Sequence, residues 1–256
     1  MIVMLSGVIY EALINGLIVA ALTSLGAVTA LIGARLPGWS LDFSLGFASG
    51  IMIVASFTSL ILPAFEKGLY IDVGVGILFG ILAIVALDIF VPHEHLVSGY
   101  EGPEILRNRV RKTLLVAIAI AIHNIPEGLT VGVTTVFSYE LGAVTTIAIG
   151  LQDVPEGAAV ALPLAALWGG RLKGFAIGVL SGFTETIFAL IGALAFSYAS
   201  SLLGIGMGFA AGAMIYTVIE EVLPEILHES SRNRRIATLG FFIGLYTMLY
   251  LDLMLR

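Results

Sequence analysis

Apolar positions along this chain form long unbroken runs. They show neither the alternation of a half-buried strand nor the one-sided stripe of a surface helix. Runs long enough to cross a hydrocarbon core of roughly 30 Å lie near 5–34, 40–63, 69–91, 113–137, 140–168, 172–198, 202–225 and 235–255. No water reaches that depth, so each segment must satisfy its own backbone polar groups, and the runs predict eight transmembrane α-helices. The period-two pattern of barrel strands is missing. The longest connection, near 92–112, has no room for a soluble domain, so residues 1–256 are expected to form one transmembrane domain. Small residues recur four apart, as in Gly46/Gly50, Gly76/Gly80, Gly204/Gly208/Gly212 and Gly240/Gly244. That spacing predicts close helix packing.

Composition agrees with the pattern. Apolar residues make up 59% of the chain and charged residues 12%, against roughly 25% charged in a soluble domain. No basic region precedes the first apolar run and no cleavage site follows it, so that run is expected to be a membrane helix rather than a leader. Cysteine is absent, which excludes disulfides and thiolate metal sites. No basic patch suited to nucleic acid is present. Of the 12 basic residues, Arg35, Arg107, Arg109, Arg111, Lys112, Arg171, Lys173, Arg232, Arg234 and Arg235 fall after odd-numbered helices. Only Lys67 and Arg256 fall on the opposite side. The bias predicts an inner (cell) membrane protein with both termini outside the cytoplasm.

Two hexapeptides interrupt the apolar runs: HNIPEG at 123–128 and QDVPEG at 152–157. They begin about ten and about twelve residues into their helices, near mid-bilayer at about 1.5 Å per residue. A short connection makes the two helices antiparallel neighbours, so the hexapeptides share a depth. His123/Glu127 and Gln152/Glu156 are four apart, and Asn124/Glu127 and Asp153/Glu156 three apart, so each set occupies one helical face. Pro126 and Pro155 free the carbonyls of Ile122 and Leu151, and irregular backbone at this depth belongs beside a cavity or other protein. A carboxylate at the bilayer centre costs at least about 2.5 kcal/mol, and no Lys or Arg lies in any helix core. One resolution is a set of protonated, mutually hydrogen-bonded carboxyls; the other is a bound cation. Oxygen donors with one imidazole suit Zn²⁺, Fe²⁺ or Mn²⁺ better than Cu⁺.

Paired HNIPEG and PEG motifs on the fourth and fifth of eight helices resemble the ZIP (Zrt/Irt-like protein) family of metal transporters over essentially the whole chain. The likeness is to the compact prokaryotic branch, whose fifth helix reads QDxPEG; most of the family has His where Gln152 stands. The resemblance implies two inverted three-helix repeats around helices 4 and 5, an elevator-like movement and a homodimer. It also implies a two-metal centre, with one position held by His123, Glu127, Gln152, Glu156 and Met52. The other would use Asn124, Asp153 and Glu185, with Glu127 and Glu156 bridging. Glu185 also stands out unaided, as a lone acid in SGFTETIFAL, whereas Met52 unaided reads as core packing.

Other polar residues are open to two readings. Glu220 and Glu221 either line the cytoplasmic exit or cap a solvated helix end. Asp88 belongs to the same region. His93, Glu94 and His95 fall in the cytoplasmic loop, where the family commonly keeps a metal-sensing stretch. Glu11 and Asn15 either line a path or bond between helices. The reading is a carrier, not an enzyme. It has no cofactor, and a divalent metal (Zn²⁺ first, with Fe²⁺, Mn²⁺ or Cd²⁺) is its substrate. An intramembrane metallohydrolase and a metal-selective channel are the alternatives; the first lacks an HExxH motif.

Overall fold

Each apolar run becomes a helix. The structure, a computed structural model, describes residues 2–33, 37–95, 99–104, 112–167, 170–224 and 233–255. Among these residues the helices are α1 (Ile2–Ile32), α2 (Gly38–Ala55), α3 (Tyr70–Phe90), α4 (Lys112–Phe137), α5 (Tyr139–Leu167), α6 (Arg171–Tyr198), α7 (Leu203–Thr217) and α8 (Arg234–Leu255). α2 continues through a π-helical stretch, Ser56–Ile61, into a last turn at Leu62–Glu66, and α7 continues through a second π-helical stretch, Val218–Val222. Six helical spans are long and apolar enough to cross a membrane. The other two helices, α4 with 26 residues and α5 with 29, are long enough and carry the polar hexapeptides. Large apolar side chains point outward, among them Ile71, Phe79 and Phe90 of α3 and Tyr250 and Leu253 of α8. Such a surface suits lipid rather than water.

The connections explain the order of the helices. α1 ends at Gly33, whose φ of +70° few other residues adopt readily. Only Ser138 separates α4 from α5, and its hydroxyl accepts a hydrogen bond from the Leu141 amide at 3.1 Å. That is an N-cap, and it turns the chain back so that α5 lies antiparallel to α4.

The helices sort into two groups. α1, α4, α5 and α6 pack against one another, while α2 pairs with α8 and α3 with α7. Exchanging α1–α3 with α6–α8, and α4 with α5, maps the main pairings onto themselves, as two inverted three-helix repeats require. α2 and α7 trade places under this exchange, and both carry a π-helical stretch near their C-terminal ends. The glycines of the outer pairs explain the close approach. A Cβ added at Gly76 would stand 2.2 Å from the Ile205 carbonyl oxygen, and one at Gly208 2.2 Å from that of Val73. At the other pair, a Cβ at Gly50 would lie 2.1 Å from the Phe241 carbonyl oxygen. These helices touch backbone to backbone.

Two expectations need correction. Both hexapeptide prolines sit inside unbroken α-helix, so the freed carbonyls do not produce irregular backbone. The segment read as a plain loop between helices 3 and 4 contains a hairpin: β1 (His93–His95) pairs antiparallel with β2 (Gly99–Glu101). Asn15 takes the inter-helix role, donating to the Thr135 hydroxyl of α4 at 3.0 Å.

Candidate metal centre

The last residue of each hexapeptide brings the site together. A Cβ at Gly128 of α4 would meet the Glu185 carbonyl oxygen at 2.5 Å, and one at Gly157 of α5 would meet the Thr23 carbonyl oxygen at 2.1 Å. The glycines therefore seat α4 on α6 and α5 on α1, one residue after each Pro-Glu pair. α4 supplies His123, Asn124 and Glu127; α5 supplies Gln152, Asp153 and Glu156; α6 supplies Glu185.

Glu127, Asp153 and Glu185 each place a carboxylate oxygen within 4.8 Å of the others. Glu127 and Gln152 are fully buried, and Asn124, Asp153 and Glu185 are each 1% exposed. Two amides tie the acids together: Gln152 Nε2 donates to Glu127 Oε1, and Asn124 Nδ2 donates to Glu185 Oε1. Asn124 Nδ2 also reaches Ser181 Oγ at 2.9 Å and the Ser181 carbonyl at 3.2 Å. The second Glu185 oxygen accepts from the Thr23 hydroxyl of α1 at 3.1 Å. With both amide nitrogens turned to protein acceptors, the oxygens are left over. Asn124 Oδ1, Gln152 Oε1, Glu127 Oε2 and both Asp153 oxygens are buried without a hydrogen-bond partner among the described residues.

His123 and Glu156 are only half-buried, and the two interact electrostatically. Met52 is 1% exposed and packs in an apolar cluster with Val131, Ile149 and Met214. Val131 and Ile149 lie one turn along their helices from Glu127 and Asp153. Among the described residues no Lys or Arg forms an ion pair with Glu127, Asp153, Glu156 or Glu185.

A second cluster lies where α3 meets the hairpin. His93 is fully buried, with Nδ1 on the Val91 carbonyl at 2.8 Å. Its Nε2 stands 3.9 Å from Asp88 and 3.8 Å from Glu101, which faces His93 across the hairpin. Tyr216 of α7 lies beside Asp88. Glu220 is exposed. The side chains of His95 and Glu221 lie outside the described residues, as does His228. Glu101, Thr23 and Ser181 went unnoticed in the sequence. Each becomes visible only once strand register or helix pairing sets it beside a recognised group.

Five orphaned oxygens among three close carboxylates form an arrangement that protein alone leaves unpaid in hydrogen bonds. Unpaired buried charge is strongly unfavourable, and a cation with oxygen-seeking coordination supplies what the donors lack. A half-buried imidazole and carboxylate at the edge suit a borderline divalent ion rather than a purely hard one.

Comparison with known proteins agrees. Residues 92–252 match the family described as "ZIP Zinc transporter". The chain is 38% identical over 252 residues to zinc transporter ZIPB of Bordetella bronchiseptica, covering 94% of this chain and 80% of that protein. It is 34% identical over 253 residues to zinc transporter GufA of Myxococcus xanthus, covering 95% and 98%. It is also 34% identical over 244 residues to zinc transporter ZupT of Corynebacterium glutamicum, covering 88% and 92%.

Proposed function

We propose a carrier's role for this chain, which belongs to the ZIP zinc transporter family: it moves Zn²⁺ or a similar divalent ion towards the cytoplasm through the centre between α4, α5 and α6. The observation that carries this reading is the set of five buried, unpartnered oxygens around Glu127, Asp153 and Glu185. Two ions fit the donor set. One is held by His123, Glu127, Gln152 and Glu156, with Met52 closing it. The other is held by Asn124, Asp153 and Glu185, and Glu127 and Glu156 bridge the two.

Two features support delivery towards the cytoplasm. The half-buried pair, His123 and Glu156, lies on the side of the site nearer the basic connections, which the charge bias assigns to the cytoplasm. Towards the other end, Leu60, Val73, Val133, Leu141 and Met207 form a buried apolar seal. Among the described residues the centre is thus less covered on the side of release than on the outer side. Except for Met52, every metal-holding residue rides on the α1–α4–α5–α6 group, and apolar clusters bridge that group to the other. Such an interface lets one group slide against the other, as an elevator requires, within a homodimer in the inner membrane whose termini lie outside. The Asp88–His93–Glu101 cluster near the release side modulates flux when metal is abundant.

The test is Zn²⁺ uptake into proteoliposomes of the pure protein. Saturable uptake supports a carrier. Flux that rises without saturation supports a channel, and absence of flux refutes both.

A further inference from the structure

Thr23 and Ser181 carry no metal-binding signal of their own, yet they hold the two residues that define one half of the centre. Thr23 is 1% exposed and Ser181 5%. Helix packing fixes both in place. A Cβ at Gly182, next to Ser181, would lie 3.1 Å from the Thr23 Cβ, and Gly157 of α5 abuts the Thr23 carbonyl. Thr23 is thus wedged where α1, α5 and α6 meet.

The hydrogen bonds then divide the atoms of Glu185 and Asn124 by role. Thr23 Oγ1 reaches Glu185 Oε2 at 3.1 Å and Oε1 at 3.5 Å. Asn124 Nδ2 takes the other side of the carboxylate at Oε1. An amide nitrogen has two hydrogens: one goes to Glu185, and the other is shared by the Ser181 hydroxyl and carbonyl at 2.9 and 3.2 Å. The reverse orientation would set Asn124 Oδ1 against a carboxylate oxygen and a carbonyl, acceptor against acceptor. Ser181 and Glu185 therefore decide that Asn124 offers its oxygen, the atom a divalent cation needs. That oxygen is buried without a hydrogen-bond partner.

We infer that Thr23 and Ser181 are positioning residues for the metal position built from Asn124, Asp153 and Glu185, with Thr23 orienting the carboxylate and Ser181 the amide. The inference rests on the two-ion reading of the centre. Thr23 also reaches the carbonyl of Val19 at 3.1 Å.

The experiment is Zn²⁺ binding to the purified full-length chain in detergent by equilibrium dialysis, with melting temperature in EDTA measured in parallel. Thr23→Val keeps the shape and removes the hydroxyl; Ser181→Ala does the same at the amide. Thr23→Val is expected to weaken one of two Zn²⁺ equilibria about 10- to 100-fold, the usual effect of losing an outer-shell partner, and to leave the other unchanged; Ser181→Ala, which keeps the Ser181 carbonyl as an acceptor for Asn124, is expected to weaken the same equilibrium by less. Thr23→Ser should restore wild-type binding. Two ions held by both variants at wild-type affinity overturn the inference, and so does a loss in Thr23→Val that Thr23→Ser fails to rescue. Should Thr23→Val not fold, Thr23→Ala takes its place with the same expected loss. A wild-type chain that binds a single Zn²⁺ refutes the two-ion reading, and the inference with it.

Discussion

Glu127→Gln keeps the side chain's shape and removes one charge from the most crowded point of the bundle, so it should separate stability from function. Carboxylate oxygens of Glu127, Asp153 and Glu185 lie within 4.8 Å of one another. At an effective dielectric of about 20, two unit charges at that separation repel by about 3.5 kcal/mol. Two such pairs bring the Coulomb estimate for ionised Glu127 to roughly 7 kcal/mol. Proton uptake limits what is realised, because protonating an ordinary carboxyl at pH 7 costs about 4 kcal/mol. The smaller figure governs. The bond from Gln152 Nε2 survives, since the new amide oxygen accepts in place of Glu127 Oε1. Without metal, the variant should therefore be more stable than wild type by about 2–4 kcal/mol. The assay is thermal unfolding of the purified chain in detergent, in EDTA and again in Zn²⁺. Wild type should gain about 2.7 kcal/mol at Zn²⁺ one hundred times its Kd. The variant should melt higher in EDTA and gain little from Zn²⁺. A lower melting point in EDTA would show that the carboxyls form a structural hydrogen-bonded network, and an undiminished Zn²⁺ shift would place the metal elsewhere.

Three further outcomes are expected. Gln152→His replaces a neutral oxygen donor with imidazole nitrogen, so Zn²⁺ should gain over Mn²⁺ in competitive binding to the purified variant, with turnover equal or lower; an unchanged preference would remove Gln152 from the coordination sphere. His93→Ala takes the imidazole from between Asp88 and Glu101, so basal uptake should persist while the response to high external metal changes; complete loss of uptake at normal expression would contradict a modulatory role. Gly208→Ala drives a Cβ to within 2.2 Å of the Val73 carbonyl, so the melting point should fall by the equivalent of about 1–3 kcal/mol with Zn²⁺ affinity retained; an unchanged melting point would mean that α3 and α7 do not meet there.

The helices were readable because each is an apolar run of membrane length, and their observed ends lie within a few residues of the expected ones. The centre was readable for the opposite reason, since His123, Asn124, Glu127, Gln152, Asp153, Glu156 and Glu185 are expensive where they stand. Thr23 was invisible because a hydroxyl in a membrane helix can bond its own carbonyl one turn back, as Thr23 does with Val19. Such a residue costs little anywhere and so signals nothing. Ser181 was hidden in the same way. Glu101 needed the hairpin register to stand opposite His93, and short polar strands leave register weakly specified in sequence. The glycine stripes predicted close packing without naming partners; that α2 meets α8 and α3 meets α7 depends on the whole bundle.

A two-ion centre between α4, α5 and α6 can be seen by anomalous diffraction from crystals of the wild-type chain grown with Cd²⁺ as a heavy stand-in for Zn²⁺. Two anomalous peaks are expected between α4, α5 and α6, both flanked by Glu127 and Glu156, with Asn124 Oδ1 and Gln152 Oε1 turned towards them. Peaks confined to the Asp88–His93–Glu101 cluster or the bundle surface, with none among Glu127, Asp153 and Glu185, would contradict the two-ion reading.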